Sequence, residues 1–329
     1  MSISRGNNTN ASDYGTNPSF SHNSDTDFLV LAISSGTGGA SSPPSGVTYG
    51  GTAMTLAKGD SHEPYYKSFA YIYYLANPSQ GANTVSITKT FGQHNIRAMS
   101  LSGVNLASPI GSTSEEADHA LPVSMNITGV TTDSLLIDVM AFNGSGAGAP
   151  TPGAGQTVEY AGSSIRLSKQ IWGISSKVAS SSTENFSWSF STDSTRSMAH
   201  VAVEIKKALL PPAITTGTVG NLFATSAGIL GNEVTSAGDE SVTERGVVVS
   251  TSTSPDITDT KAVVAGAVGS FDANLSGLDA ETTYYARAFA TSSVGTTYGA
   301  EVSFTTDINA AMPIMMADNP VNFNTPIIL

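Results

Sequence analysis

Apolar positions along this chain come in short runs, and almost nowhere at the three-, four- and seven-residue spacing of an amphipathic helix. The runs are rich in β-branched and aromatic residues and are separated by clusters of Gly, Ser, Asn and Pro. Phe28-Leu29-Val30-Leu31-Ala32-Ile33 is continuously apolar, as expected of a strand buried on both faces. Val47-Thr48-Tyr49 meets Gly50-Gly51 and then Ala53-Met54-Thr55-Leu56, which predicts a two-residue hairpin. Residues 68–75 and 84–88 follow, the second alternating cleanly so that one face meets solvent. Residues 97–101, 123–127, 135–142, 165–174, 186–190 and 199–205 continue the series. Between them, 143–153 is so rich in Gly, Ala and Pro that it reads as a long surface loop. About a dozen strands over roughly 200 residues predict an all-β fold, a jelly-roll-like β-sandwich spanning 1–207.

Pro211-Pro212 closes a linker at 208–212, because two prolines cannot donate to a sheet. Strand patterns resume at 224–230, 244–251, 262–264, 270–275, 283–291 and 302–305. Six or seven strands in about 95 residues match the size of an immunoglobulin-like sandwich, placed at 213–306. Residues 307–329 resemble neither region. Met312, Ile314, Met315, Met316, Ile327, Ile328 and Leu329 are apolar, and Pro313, Pro320 and Pro326 forbid a regular helix. Such a segment is expected to be buried, either on its own domain or, as the preferred reading, along a neighbouring copy as an added strand. That makes it an assembly tail and the protein a homo-oligomer.

Charge narrows the partners. The formal net charge is -12, from 14 Lys and Arg against 26 Asp and Glu, so nucleic acid is not an expected partner. There is no cysteine, which removes disulfides, thiolate metal sites and Cys nucleophiles. No apolar run approaches the length of a membrane span. The first residues carry no secretory h-region, so no signal peptide is expected in the sequence as it stands.

Candidate chemistry is sparse. His22, His62, His94, His119 and His200 form no i, i+4 pair, so a zincin motif is absent. Asp25 and Asp27 could offer two carboxylates to a hard cation, although Asn23-Ser24-Asp25 before an apolar run is also ordinary turn chemistry. Glu115-Glu116-Ala117-Asp118-His119 reads as an acidic, solvated loop. Ser, His and Asp are all present, but no G-x-S-x-G elbow is. Paired catalytic carboxylates are not apparent either. The chain is therefore expected to be no enzyme and to need no cofactor. Tyr71, Tyr73, Tyr74, Trp172 and Trp188 could stack on sugars if exposed, or simply fill the core. The loop tip of His62, Tyr65 and Tyr66 is the preferred contact for any ligand or receptor, a host-surface glycan included.

Thr243-Glu244-Arg245-Gly246-Val247-Val248-Val249-Ser250, Leu275-Ser276-Gly277-Leu278 and Thr282-Thr283-Tyr284-Tyr285-Ala286-Arg287-Ala288-Phe289-Ala290 carry a resemblance. With Gly295-Thr296-Thr297-Tyr298-Gly299 and Val302-Ser303-Phe304-Thr305-Thr306, they make the second region similar to fibronectin type III-like or immunoglobulin-like modules of Bacteroidota surface proteins and their phages. In it Tyr284 resembles a tyrosine-corner residue, and Leu275 and Leu278 bracket a core-packed turn. Arg245 and Arg287 are expected to pair with Glu244, Glu281 or Glu301. The first region, through Phe28–Ile33, Val47-Thr48-Tyr49-Gly50-Gly51-Thr52-Ala53-Met54 and Tyr73-Tyr74-Leu75-Ala76-Asn77-Pro78, resembles β-sandwich domains of phage and environmental bacterial proteins. Together these imply a structural protein of a virion surface: a capsid, decoration or fibre component. Its partners would be copies of itself and other virion proteins. The alternatives are a secreted bacterial adhesin or carbohydrate-binding module, or a subunit of an extracellular filament.

Overall fold

A computed structural model describes residues 2–36, 43–62, 67–88, 90–116, 123–164 and 170–308. The described residues contain strands, turns and bends and no helix. The chain divides into two compact units, Met1–Ala208 and Leu209–Leu329.

The first unit opens with β1 (Ser4–Thr16), β2 (Ser19–Ser24), β3 (Phe28–Gly36), β4 (Gly46–Tyr49), β5 (Thr52–Ala53), β6 (Thr55–His62), β7 (Ser68–Ala76), β8 (Gly81–Thr88) and β9 (Thr90–Ser102). These form two antiparallel sheets, β1-β9-β3-β7-β6 and β2-β8-β4-β5. The order is that of a complete jelly roll: first, last, third and antepenultimate main strands in one sheet, joined by β6 at its edge, and the remaining four in the other. Tyr49 pairs with Thr52 across Gly50 and Gly51, whose φ of 56° and 83° make the expected hairpin turn.

The same pattern then repeats. β10 (Ile110–Glu116), β11 (Val123–Thr128), β12 (Leu135–Pro152), β13 (Thr157–Ser164), β14 (Gln170–Val178) and β15 (Thr183–Ile205) give the order β10-β15-β12-β14-β13. This copies β1-β9-β3-β7-β6 strand for strand. β15 does the work of both β8 and β9: Thr183 to Trp188 pair with β11, and Ser197 to Ile205 pair with β12. A β-bulge recurs at the same place, at Ala57 between Leu56 and Lys58 in β6 and at Glu159 between Val158 and Tyr160 in β13. The first unit is thus two jelly rolls in tandem. The 143–153 segment expected as a loop is largely strand: Gly144 to Ala147 and Thr151 to Pro152 extend β12 against β15. Its ladder is made by the main chain, so side chains that predict nothing about strand formation do not prevent it.

The two five-stranded sheets pack face to face. Phe28, Val30, Ala32, Ile72, Met99 and Leu101 from the first roll meet Leu135, Ile137, Val139, Ile174, Val203 and Ile205 from the second, all buried. The opposite face of each sheet closes its own roll, around Leu31, Tyr49, Tyr71 and Val85 in the first and Phe142, Phe186 and Trp188 in the second. This is why Phe28 to Ile33 read as continuously apolar: β3 lies between two cores.

The second unit holds β16 (Ala213–Thr215), β17 (Thr218–Gly220), β18 (Ser226–Ser236), β19 (Glu244–Ser250), β20 (Thr260–Val263), β21 (Gly269–Ser276), β22 (Thr283–Ser292), β23 (Gly295–Tyr298) and β24 (Val302–Thr305). β16 and β17 run in succession along one edge of β18, β21 pairs with its other edge, and β20-β19-β22 with β23 and β24 form the opposing sheet. That is the order of a fibronectin type III-like sandwich. Tyr284 accepts a hydrogen bond from the Asp279 N–H at 3.0 Å, as a tyrosine corner does, and Leu275 and Leu278 are buried. The expected arginine–carboxylate pairs do not form. Arg245 donates to the carbonyls of Ala265, Ala267 and Gly269 and lies 4.6 Å over the Phe271 ring. Arg287 donates to the carbonyl of Pro255 and lies 4.4 Å over Tyr298. Glu244 takes Lys261 instead, and Glu301 accepts from the Ser254 N–H. A guanidinium with five donors finds more acceptors in loop carbonyls than in one exposed carboxylate.

If the inter-roll face carries the first unit, Ile137→Ala should cost about 2–5 kcal/mol in denaturant unfolding of that unit. Tyr284→Phe, which loses one hydrogen bond, should cost about 1 kcal/mol in the second unit alone.

Candidate functional site

The structure brings a serine, an aspartate and a histidine together inside the second roll. Asp138 on β12, Ser175 on β14 and His200 on β15 are fully buried beside Trp188. The Asp138 carboxylate accepts from Trp188 Nε1 at 2.6 Å and from His200 Nε2 at 2.8 Å on one oxygen. Its other oxygen accepts from the Ser175 N–H at 3.1 Å and from the Ser175 hydroxyl. The order is wrong for nucleophilic catalysis. The carboxylate lies between hydroxyl and imidazole, whereas a base must touch the nucleophile it activates. Four donors satisfying one buried carboxylate is instead what a stable interior charge requires. In the first roll the positions equivalent by register to Asp138 and His200 are Leu31 and Ile96, both apolar and buried.

The first roll carries a different buried polar set. His22 Nδ1 lies 2.9 Å from Thr9 Oγ1, and Nε2 lies 3.0 Å from Ser100 Oγ. Burial lowers its pKa, with Arg97 adding to the effect and Asp25 opposing it. His94 is buried as well. His62 ends β6, where it pairs with Ser68, while His119, Tyr65 and Tyr66 lie outside the described residues.

Asp25 and Asp27 are exposed and sit in the bend after β2 rather than on one strand face. Asp25 Oδ1 accepts from the Asn7 N–H of β1 at 3.0 Å, a contact that ties the bend to the neighbouring strand. Among the described residues no group of three or more His, Asp or Glu side chains could hold a metal ion. The aromatic cluster is core: Tyr71, Tyr73, Trp172 and Trp188 are buried, and burial pushes the Tyr73 phenol up to about 12. Tyr74 is half-buried and stacks on Phe28 at 5.6 Å. The sugar-stacking reading of these rings is therefore corrected, because strand alternation turns them inward. The apolar tail residues Met312, Ile314, Met315, Met316, Ile327, Ile328 and Leu329 lie outside the described residues.

Charge concentrates at the two rims where the rolls meet, in a two-fold related manner. At one rim, β1 and β9 of the first roll face β13 of the second: Arg5 and Arg97 bind Glu159 at 2.7 and 3.3 Å. At the other, β6 of the first faces β10 of the second, and Lys58 binds Glu115 at 2.8 Å. Near this pair lies Asp60. Burial raises its pKa and Glu115 adds to that, while the Ser61 and His200 N–H groups and Lys58 oppose it.

The rolls also share one end. Ser34 Oγ near the end of β3 donates to the Met140 carbonyl at 2.8 Å, and Ser68 Oγ at the start of β7 lies 2.7 Å from Ser197 Oγ. The end of β3 and the start of β7 thus lie beside Met140 and Ser197 of the second roll. Ala208, whose N–H bonds the Gly103 carbonyl, leaves from the opposite end. The His62-to-Ser68 connection, singled out from sequence, departs from the shared end. No signal in the sequence pointed to the second roll's contribution there.

No known family and no curated protein matches the chain. Among solved structures, domains of titin align over 94% of this chain and all of theirs, at 12% identity and a TM-score of 0.25. The FN1–FN3 domains of chicken CNTN1 align over 81% of this chain and 99% of theirs, at 10% identity and a TM-score of 0.24. The fold assignment rests on strand order and not on these likenesses.

Two outcomes are expected. Asp138→Leu strands four buried donors, and should lower the stability of the first unit by about 3–5 kcal/mol with a changed Trp fluorescence spectrum. Asp60 has a folded pKa above its ordinary 3.8, so its proton is bound more readily in the folded state. Asp60→Asn should therefore raise the melting temperature at pH 7. The gain should shrink as pH falls through the raised pKa and vanish below 3.8.

Proposed function

We propose that this chain is a non-enzymatic structural protein of a virion surface, a capsid, decoration or fibre component working as a homo-oligomer. What supports the reading most is how the chain uses its chemically capable side chains. Ser175, Asp138 and His200 are spent on holding a core together, in an order that keeps the imidazole off the hydroxyl. The rest of the first unit is sheet on sheet, the layout of a building block that meets partners through its ends and edges. Fibronectin type III-like sandwiches serve mostly as spacers or platforms, which suits a projecting second unit. The tail at 307–329 would fasten neighbouring copies. Other virion proteins are the further partners, and the site of action is the virion surface.

The second reading is a secreted bacterial adhesin or carbohydrate-binding module, or a filament subunit. The end where Ser68 of one roll meets Ser197 of the other favours it, since binding surfaces gather where loops are carried by a rigid scaffold.

Mass photometry of the purified chain separates the two. The assembly reading expects large homogeneous particles that fall to monomers when 307–329 is deleted, with both unfolding transitions unchanged. A full-length chain that stays monomeric across salt and concentration contradicts it.

A further inference from the structure

The hydroxyl of Ser175, fully buried in the second roll, is held from two sides. Its proton goes to Asp138 Oδ1. Its oxygen accepts from Gln156 Nε2 at 2.9 Å. Gln156 stands half-buried just before β13, and its other amide atom is fixed as well: Oε1 accepts from the Ser187 N–H at 2.8 Å. A main-chain N–H only donates, so the carboxamide has one orientation, with its nitrogen towards Ser175.

These contacts hold the turn to the core, and they are also the parts of an acyl transfer within one chain. The Ser175 lone pair faces the carboxamide, whose carbon is one bond beyond Nε2. The group that takes the hydroxyl proton, the Asp138 carboxylate, already touches it. The Ser187 N–H sits where negative charge develops on Oε1 when the carbon is attacked. His200 reaches Asp138 and not the hydroxyl, so the set is not that of a hydrolase, which must be reset after every turnover. A step made once per molecule has no such need.

From this the structure assigns an intramolecular ester cross-link between Ser175 and Gln156, formed after folding. Ser175 Oγ bonds to Gln156 Cδ as its proton passes to Asp138. The Cδ–Nε2 bond then breaks, Asp138 returns the proton to the departing nitrogen, and ammonia leaves. Nothing is oxidised or reduced, and no co-reactant enters. The half-buried Gln156 gives ammonia a way to solvent, while the buried Ser175 oxygen keeps water from reversing the step. The bond ties the foot of the edge strand β13 to β14 and the roll's interior, in a chain that has no cysteine to make a disulfide. The inference goes beyond the structural role proposed above and does not depend on it, since it is read from a single chain whether or not chains assemble.

Intact-mass spectrometry of the folded full chain tests it. Wild type is expected to fall below its sequence mass by one ammonia. A protease digest should then yield a branched peptide joining residues 156 and 175, which hydroxylamine separates. Ser175→Ala and Gln156→Ala should each keep the full sequence mass, and Asp138→Asn should slow the loss by about a hundredfold. Chain held in denaturant throughout purification should also keep its full mass, and lose ammonia on refolding. If the variants at the buried positions fail to fold, Gln156→Ala carries the comparison. A folded wild type that stays at its sequence mass overturns the proposal. So does an ammonia loss that persists in Ser175→Ala and Gln156→Ala, which places it at an asparagine such as that of Asn143-Gly144.

Discussion

Face-to-face packing of two five-stranded sheets is the constraint on which the first unit depends. Each sheet is also one wall of a jelly roll, so its strands must be apolar on both sides. Phe28, Val30 and Ala32 point to the partner roll, while Leu29, Leu31 and Ile33 point into their own. Separated, each roll would present an apolar sheet to water, at about 25 cal/mol for every Å² exposed. The rolls are therefore coupled, and the pairing of their rims by Arg5, Arg97 and Glu159 on one side and Lys58 and Glu115 on the other repeats the two-fold relation in charge.

That coupling divides the molecule's polar chemistry into kinds. Inside each roll a histidine is held by hydrogen bonds, through Thr9 and Ser100 in one and through Asp138 in the other. These sets serve the core, and in the second His200 Nδ1 is buried with no hydrogen-bond partner among the described residues. Between the rolls, by contrast, Asn95, Asn143 and Trp172 leave hydrogen-bonding capacity open. An interior polar layer with unmet donors and acceptors is costly, and buried water is what offsets such a cost.

Much of the fold was legible in the sequence wherever burial wrote a pattern. The continuous run of β3, the alternation of β8, the Gly50-Gly51 turn and the Tyr284 corner all follow from residue types with a physical reason to be there. The strands that escaped are the polar ones: β1 (SRGNNTNASDYGT), β2, β10 and β13 sit at sheet edges or opposite faces that ask little hydrophobicity of them. The duplication escaped for a related reason. Equivalent positions keep their place in the ladder but not their chemistry, as Leu31 against Asp138, Ile96 against His200 and Ala57 against Glu159 show. Candidate sites were the least legible. The inter-roll layer is assembled from residues far apart in sequence that look individually like ordinary strand polar residues. The tyrosines and tryptophans, open to a stacking or a core reading in the sequence, pack inside because both faces of their sheets are covered.

Differential scanning calorimetry of the full chain tests the coupling of the rolls most directly. Two cooperative transitions are predicted, one for the tandem rolls and one for the fibronectin-like unit, each with calorimetric enthalpy equal to its van't Hoff value. Three transitions, with the two rolls melting independently, would contradict the account.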